Sequence, residues 1–134
     1  MNVLVDTSVW SLALRRHLPR ETHVERELVE LIGEGRVILL GAIRQELLCG
    51  IRSSEQFKKL RDALRAFPDE PLVQADYEDA AGCFNRCRAK GLQGSNTDFL
   101  LCAVASRRRI PIFSTDGDFR GFAKHLQFEL HKTR

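Results

Sequence analysis

The sequence has no paired cysteine motif and no long apolar run, and each absence argues against a class of protein. Its four cysteines, at positions 49, 83, 87 and 102, form no Cys-x-x-Cys pair and have no histidine at zinc-finger spacing. Neither a disulfide framework nor a structural zinc site is therefore expected, and Cys83 and Cys87 are predicted to pack in the core. Apolar stretches such as residues 99–105 are too short to span a bilayer, and no signal peptide is recognisable. We expect a cytoplasmic protein without a membrane partner.

Internal repeats, linkers and low-complexity segments are also absent, which indicates one domain over residues 1–134. The hydrophobic content of 43% is sufficient for a core, and the net charge is only +3. Sixteen of the 21 basic residues are arginine, a residue suited to phosphate, so the composition leans weakly toward a nucleic-acid partner. Arg107 to Arg109 form the densest basic run, which also fits a solvated helix C-terminus.

Apolar strand-like runs alternate with helical patterns along the chain. The strands are predicted over residues 3–5, 37–40, 110–113 and, as a last edge strand, 128–130, with a brief strand-like run at 71–73. The helices are predicted over residues 9–15 with a break at 17–20, from a Thr22 cap to Gly33, over 43–50, from Ser53 or Ser54 to Pro68, over 75–90, and from an Asn96 or Thr97 cap through 105. This alternation predicts an α/β fold of three layers, α/β/α, with a mainly parallel central sheet.

Four carboxylates fall where such a fold gathers its strand ends. Asp6 and Asp116 each follow a strand, and Glu46 and Asp98 each lie in an early turn of a helix. Any one of them is readily explained as a helix cap, but four at one edge would repel each other. A hard divalent cation, Mg²⁺ or Mn²⁺, is the natural compensation. The histidines at 17, 23, 125 and 131 show no metal spacing and are expected at the surface.

Four segments together resemble a PIN domain of the VapC toxin type, in order and over almost the whole chain. They are Val3-Leu4-Val5-Asp6-Thr7-Ser8, Glu46-Leu47-Leu48-Cys49-Gly50, the helix opened by Asp98, and Ser114-Thr115-Asp116-Gly117-Asp118-Phe119. The resemblance implies a Mg²⁺- or Mn²⁺-dependent endoribonuclease, the toxin of a type II toxin–antitoxin pair. It also implies that Asp6, Glu46, Asp98 and Asp116 are both the catalytic residues and the metal ligands.

Three further positions take roles from the same resemblance. Asp118 matches the variable fifth acid of the family, and it fits equally well as the cap of a helix beginning at Phe119. Thr7 and Thr115 match polar positions that support the site in the family.

The resemblance further implies an RNA substrate, a homodimer and a cognate VapB-like antitoxin that lies over the active site. The first helix carries Trp10, Leu12 and Leu14 and is a candidate groove for such a partner. The alternative is ordinary core packing, in which Leu14 is buried and only Trp10 is a candidate for exposure.

Other functions remain open at this stage. A PIN-like nuclease of RNA processing would need no antitoxin, and a non-catalytic nucleic-acid-binding module would use the acids only as caps. A haloacid-dehalogenase phosphatase would need a second aspartate where Ser8 stands, and a Toprim-like enzyme would lead with glutamate rather than Asp6. A serine nucleophile would need a partnered base, and no histidine stands beside Ser8 or Ser114 in the sequence.

Overall fold

A computed structural model of the protein describes residues 1–14 and 22–134. Within these ranges the chain forms three strands and seven helices. In order they are β1 (Val3–Val5), α1 (Thr7–Leu14), α2 (His23–Gly33), β2 (Val37–Ile38), α3 (Gly41–Leu48), α4 (Ser54–Leu64), α5 (Gln74–Ala89), α6 (Asn96–Arg108), β3 (Ile112–Phe113) and α7 (Asp118–His125). None of these helices has the length and apolar character needed to cross a membrane.

The strands form a parallel sheet in the order β2-β1-β3, which confirms the predicted α/β architecture. Leu4 of the central strand pairs with Ile38 on one side and with Ile112 on the other. The chain therefore leaves β1 toward one edge for β2 and later returns to the opposite edge for β3. In parallel sheets the crevice beyond the carboxyl ends of the strands at such a switch point is the usual ligand site. Asp6 follows β1 at this crevice.

Three predicted strands are shorter than the apolar pattern suggested, and the one predicted over 110–113 covers only Ile112–Phe113. In the run 37–40 only β2 is a strand, while Leu39 forms an isolated bridge with Asp69. Leu40 instead starts α3, because its carbonyl accepts hydrogen bonds from the N–H groups of Ile43 and Arg44. The predicted edge strand 128–130 is likewise wrong in extent.

That last segment contributes a single parallel bridge, between Leu130 and Ile112. The bridge adds two backbone hydrogen bonds to Ile112, from its N–H to Glu129 and from His131 to its carbonyl. The strand-like run 71–73 forms no strand, since Val73 is the N-cap residue of α5.

The helix boundaries follow capping chemistry. Thr22 and Glu25 form the predicted capping box of α2, whereas α6 is capped by Ser95 rather than by Asn96 or Thr97. The first helix begins at Thr7 rather than residue 9, and the predicted break at 17–20 lies outside the described residues. The helix predicted to reach Pro68 ends as α4 at Leu64, three residues before Phe67.

Helix α6 is central, as its apolar sequence predicted. Residues 99–105 are all buried, and α5 packs along α6. Cys83 and Cys87 of α5 are buried in the core, as expected.

Two buried carboxylates away from the strand ends are neutralised by basic side chains. Asp76 is paired with Arg107 and Arg108, and Glu27 with His131 and Arg134. The Arg107–Arg108 pair is therefore structural rather than simply solvated, and His131 is not the surface residue that was predicted.

Candidate active site

Asp6 lies between the end of β1 and the first turn of α1, and only 6% of it is exposed. Its N–H donates to Phe113 O at 2.9 Å, which continues the β1–β3 pairing by one residue. Its carbonyl accepts from Val9 N and Trp10 N, so its backbone opens α1. Its carboxylate accepts from Ser8 N at 3.4 Å, a long capping bond. Asp6 is thus the helix cap that the sequence suggested. Its other carboxylate oxygen, Oδ1, accepts no hydrogen bond from the described residues.

Two serine hydroxyls tie Asp6 to the loop after β3. Ser8 Oγ and Ser114 Oγ each donate to Asp6 Oδ2 at 2.8 Å. In return, Ser8 Oγ accepts from Thr115 N and Ser114 Oγ accepts from Asp116 N, both at 3.0 Å. The ends of β1 and β3 are therefore held together by reciprocal hydrogen bonds. This linking role of the two serines was not predicted from the sequence; their positions two residues after Asp6 and two before Asp116 were the available signal.

Asp116 and Asp118 open α7. Asp116 Oδ1 accepts from Asp118 N at 2.9 Å, so Asp116 provides the turn that starts this helix. The helix begins at Asp118 itself, and Gly117 occupies the N-cap position. Asp118 is therefore not the cap that was considered for it; its exposed carboxylate accepts no hydrogen bond from the described residues.

Asp98 lies in the first turn of α6, where it forms a capping box with Ser95. Its Oδ2 accepts from Ser95 N at 2.9 Å, and its N–H donates to Ser95 Oγ at 3.0 Å. Burial raises the pKa of Asp98, and the negative charges of Asp6 and Asp116 raise it further, against the opposing effect of the bonds to Ser95. Asp98 therefore lies within electrostatic range of both Asp6 and Asp116.

Glu46 of α3 reaches the same edge through Thr7. Thr7 Oγ1 donates to Glu46 Oε1 at 2.7 Å, one residue beyond Asp6. Thr7 therefore contacts one of the predicted metal ligands, and its supporting role stays a prediction. Thr115 contributes a backbone N–H to Ser8 rather than its hydroxyl.

Within residues 1–14 and 22–134, the acids at this edge have no basic partners, unlike the buried acids Asp76 and Glu27. Among the described residues, none of the carboxylates of Asp6, Glu46, Asp98, Asp116 and Asp118 takes part in an ion pair. The first four each receive hydrogen bonds on one oxygen only. Each therefore keeps a second oxygen for another ligand, and no side chain of the described ranges offsets their shared negative charge.

Oxygen donors of this kind suit a hard divalent cation. In the described ranges no group of three or more His, Cys, Asp or Glu side chains forms a ready-made cage that could hold a metal ion. Mg²⁺ does not need such a cage, because it commonly binds through one or two carboxylates, waters and substrate phosphates. The carboxylate oxygens at this edge of the sheet therefore fit Mg²⁺ or Mn²⁺. Water and substrate would provide the remaining ligands.

The groove expected on α1 differs from the prediction. Trp10 is buried, with 4% exposure, and packs edge-to-face against Phe67. Leu14, predicted to be buried, is 42% exposed. It lines a groove of about 560 Å³ between α1, α3 and α4 together with Leu47 and Leu60. The apolar surface of α1 is thus provided by its last turn rather than by Trp10.

A comparison of the sequence with protein families matches the PIN domain model to residues 3–125. The chain belongs to the PIN domain family. PIN domains are typically nucleases, and PIN nucleases generally use divalent metal ions. No curated protein gives a significant match to this chain.

Solved structures share the fold of this PIN domain over nearly its whole length. VapBC2 from Rickettsia felis, bound to a DNA fragment from its promoter, aligns over 98% of both chains with a TM-score of 0.77 and 16% identity. FitAcB from Neisseria gonorrhoeae aligns over 98% of this chain and 97% of its own, with a TM-score of 0.75 and 20% identity. VapBC-5 from Mycobacterium tuberculosis aligns over 98% and 99%, with a TM-score of 0.69 and 18% identity. At these identities the likeness establishes the fold.

Proposed function

We propose that this PIN domain is a divalent-metal-dependent endoribonuclease that hydrolyses RNA phosphodiester bonds as the toxin of a VapBC-type toxin–antitoxin pair. In this proposal it acts as a homodimer and is neutralised by a cognate VapB-like antitoxin. The observation that carries the proposal is the group of carboxylates beyond the ends of β1 and β3, none of which forms an ion pair in the part of the chain that the structure describes. The family membership and the toxin–antitoxin pairs among the structural neighbours support it.

The cation would be held by carboxylates of this edge, together with water and substrate phosphate. Asp6, Glu46, Asp98 and Asp116 would each offer the oxygen that is not used in a hydrogen bond, with Asp118 as a fifth acid nearby in the sequence. Bound there, Mg²⁺ or Mn²⁺ supplies charge stabilisation for the phosphate and activation of a water. The protein contributes fixed oxygen positions, because the capping bonds and the serine hydroxyls hold the opposite oxygens in place.

A covalent serine mechanism is disfavoured by the hydrogen bonds of the crevice. The hydroxyl protons of Ser8 and Ser114 are both donated to Asp6, and neither oxygen contacts a histidine among the described residues. A nucleophilic serine needs a partnered base that accepts its proton. One oxygen of Asp6 accepts hydrogen bonds from both serine hydroxyls. This arrangement suits a structural link between the strand ends rather than the activation of one nucleophile.

The direct test is cleavage of RNA by the purified protein. We expect cleavage that requires Mg²⁺ or Mn²⁺, stops with EDTA, and falls by about 100-fold or more in Asp98→Asn, because a ligand charge is removed. Asp62→Asn is the matched control, since Asp62 is an exposed aspartate of α4 that pairs with neighbouring arginines. Cleavage that persists in EDTA, or that is equal in the two variants, would refute the metal-dependent mechanism.

The formation of a complex with an antitoxin distinguishes the toxin function from the alternative functions. Co-expression with the neighbouring upstream open reading frame is expected to give a stable complex that suppresses cleavage. Cleavage without any such complex would favour a PIN nuclease of RNA processing. A chain that neither cleaves RNA nor gains thermal stability with Mn²⁺ would be a non-catalytic binding module.

A further inference from the structure

Ser8 makes the hydrogen bonds that connect the two halves of the crevice from the β1 side. Its hydroxyl lies 2.8 Å from Asp6 Oδ2 and 3.0 Å from Thr115 N, a residue 107 positions away in the sequence. It also lies 3.2 Å from Ser114 Oγ. One small side chain therefore contacts both the carboxylate after β1 and the loop that carries Asp116.

The single proton of each serine hydroxyl limits which of these contacts can be hydrogen bonds that the serine donates. A serine hydroxyl has one proton and two lone pairs. Ser8 and Ser114 each use the proton toward Asp6 Oδ2 and a lone pair toward a backbone N–H, so no proton remains for a bond between the two hydroxyls. Both hydroxyls therefore bind the same carboxylate oxygen.

This shared target fixes the orientation of the Asp6 carboxylate. Oδ2 receives every side-chain and backbone hydrogen bond that the described residues donate to this carboxylate, and Oδ1 receives none. Oδ1 is also not enclosed, since the only fully buried side-chain polar atom without a partner in the described chain is the Trp10 indole nitrogen. Oδ1 is thus held as the accessible oxygen.

We infer that Ser8 is a positioning residue that sets the cation affinity of this PIN domain, by directing Asp6 Oδ1 into the crevice and holding the loop of Asp116 beside it. The inference rests on the proposed function, because it concerns the same divalent-cation site. Thr7 cannot substitute for Ser8, since its hydroxyl is bonded to Glu46. Ser114 provides a second link to Asp6, so we expect Ser8→Ala to keep the strand ends connected and the protein folded.

The test is Mn²⁺ binding by the full chain, measured by isothermal titration with no substrate present. Loss of a residue that orients a metal ligand typically weakens affinity by about 10- to 100-fold, and we expect this loss in Ser8→Ala. Ser8→Thr keeps the hydroxyl and should bind within about threefold of wild type. Ser11→Ala is the control, because Ser11 lies on the same helix and makes no hydrogen bond to the acids in the described structure.

Thermal unfolding of the metal-free proteins checks that each variant folds, and Ser8→Cys provides a second variant with a weaker donor of similar size. Its affinity should lie between those of wild type and Ser8→Ala. Wild-type affinity in Ser8→Ala, or equal losses in the alanine and threonine variants, would overturn the role of Ser8. A wild-type chain that binds no Mn²⁺ would instead remove the cation site on which the proposed function depends, and the inference with it.

Discussion

Replacing Asp76 with asparagine should be among the most destabilising single substitutions in this PIN domain. Asp76 is fully buried in the first turn of α5 and accepts four hydrogen bonds. One comes from Val73 N at 2.9 Å, one from Arg107 Nε at 2.8 Å, and two from Arg108 Nη1 and Nη2 at 2.9 and 3.0 Å. Asp76→Asn keeps the shape of the side chain but removes the charge and turns one acceptor into a donor that faces N–H groups.

The expected loss follows from what happens to the two arginines. Removing one partner of a buried ion pair typically costs about 3–5 kcal/mol, because the other charge is left without compensation. The side chains of Arg107 and Arg108 are 37% and 24% exposed, so water can replace part of the lost interaction. We therefore expect the lower end of that range, about 3 kcal/mol, which corresponds to about 10 °C in Tm for a chain of this size.

The assay is urea unfolding followed by circular dichroism near neutral pH, with Asp79→Asn as the matched control. Asp79 is 51% exposed and its one ion pair joins it to Arg107 at 2.8 Å, so its loss should cost less than about 0.5 kcal/mol. A cost for Asp76→Asn below about 1 kcal/mol, or one equal to the control, would refute this account. Mn²⁺ affinity should not change, because the arginines lie roughly 15 Å along α6 from Asp98.

Two further predictions concern acid stability and the loop before α6. Hydrogen bonds from Arg108 hold the pKa of Asp76 well below its usual range despite burial, so its stabilisation is complete above about pH 4 and declines as the pH falls further. Urea midpoints measured between about pH 5 and 2 should fall more for wild type than for Asp76→Asn, and parallel curves would contradict this. In Gly94→Ala the new Cβ would lie 2.8 Å from Phe122 and 3.1 Å from Phe99, so we expect a loss of about 1–3 kcal/mol and weaker Mn²⁺ binding through displacement of Asp98. Unchanged thermal unfolding and Mn²⁺ titration would show that the loop accommodates the methyl group.

The parts of the fold that the sequence predicted well are those fixed by local chemistry. Strand β1 and residues 99–105 of α6 are continuous apolar runs, and such runs are buried in most arrangements of an α/β domain. The Thr22–Glu25 capping box was readable because both partners lie within one turn. The position of Asp6 could be predicted from strand β1, since the residue after a buried strand lies at the edge of the sheet.

The errors occur where tertiary contacts decide between similar local patterns. Trp10 and Leu14 lie one turn apart on α1, yet Trp10 is buried and packs against Phe67 while Leu14 is exposed, and only tertiary packing distinguishes them. The two serines were also missed, because a hydroxyl of residue 8 meets a backbone N–H of residue 115 only after the parallel pairing of β1 and β3 has formed.

Helix capping and cation binding were competing explanations for each aspartate, yet a carboxylate has two oxygens and can serve both purposes. Asp98 uses one oxygen for Ser95 N, and Asp116 uses one for Asp118 N. Each aspartate thus lies at a helix N-terminus, where the helix dipole favours negative charge by about 0.3–1 kcal/mol. These dipoles offset part of the repulsion among the acids. The capping bonds therefore fix the remaining oxygens in place. The helix N-termini also lower the electrostatic cost of grouping the acids before any cation binds.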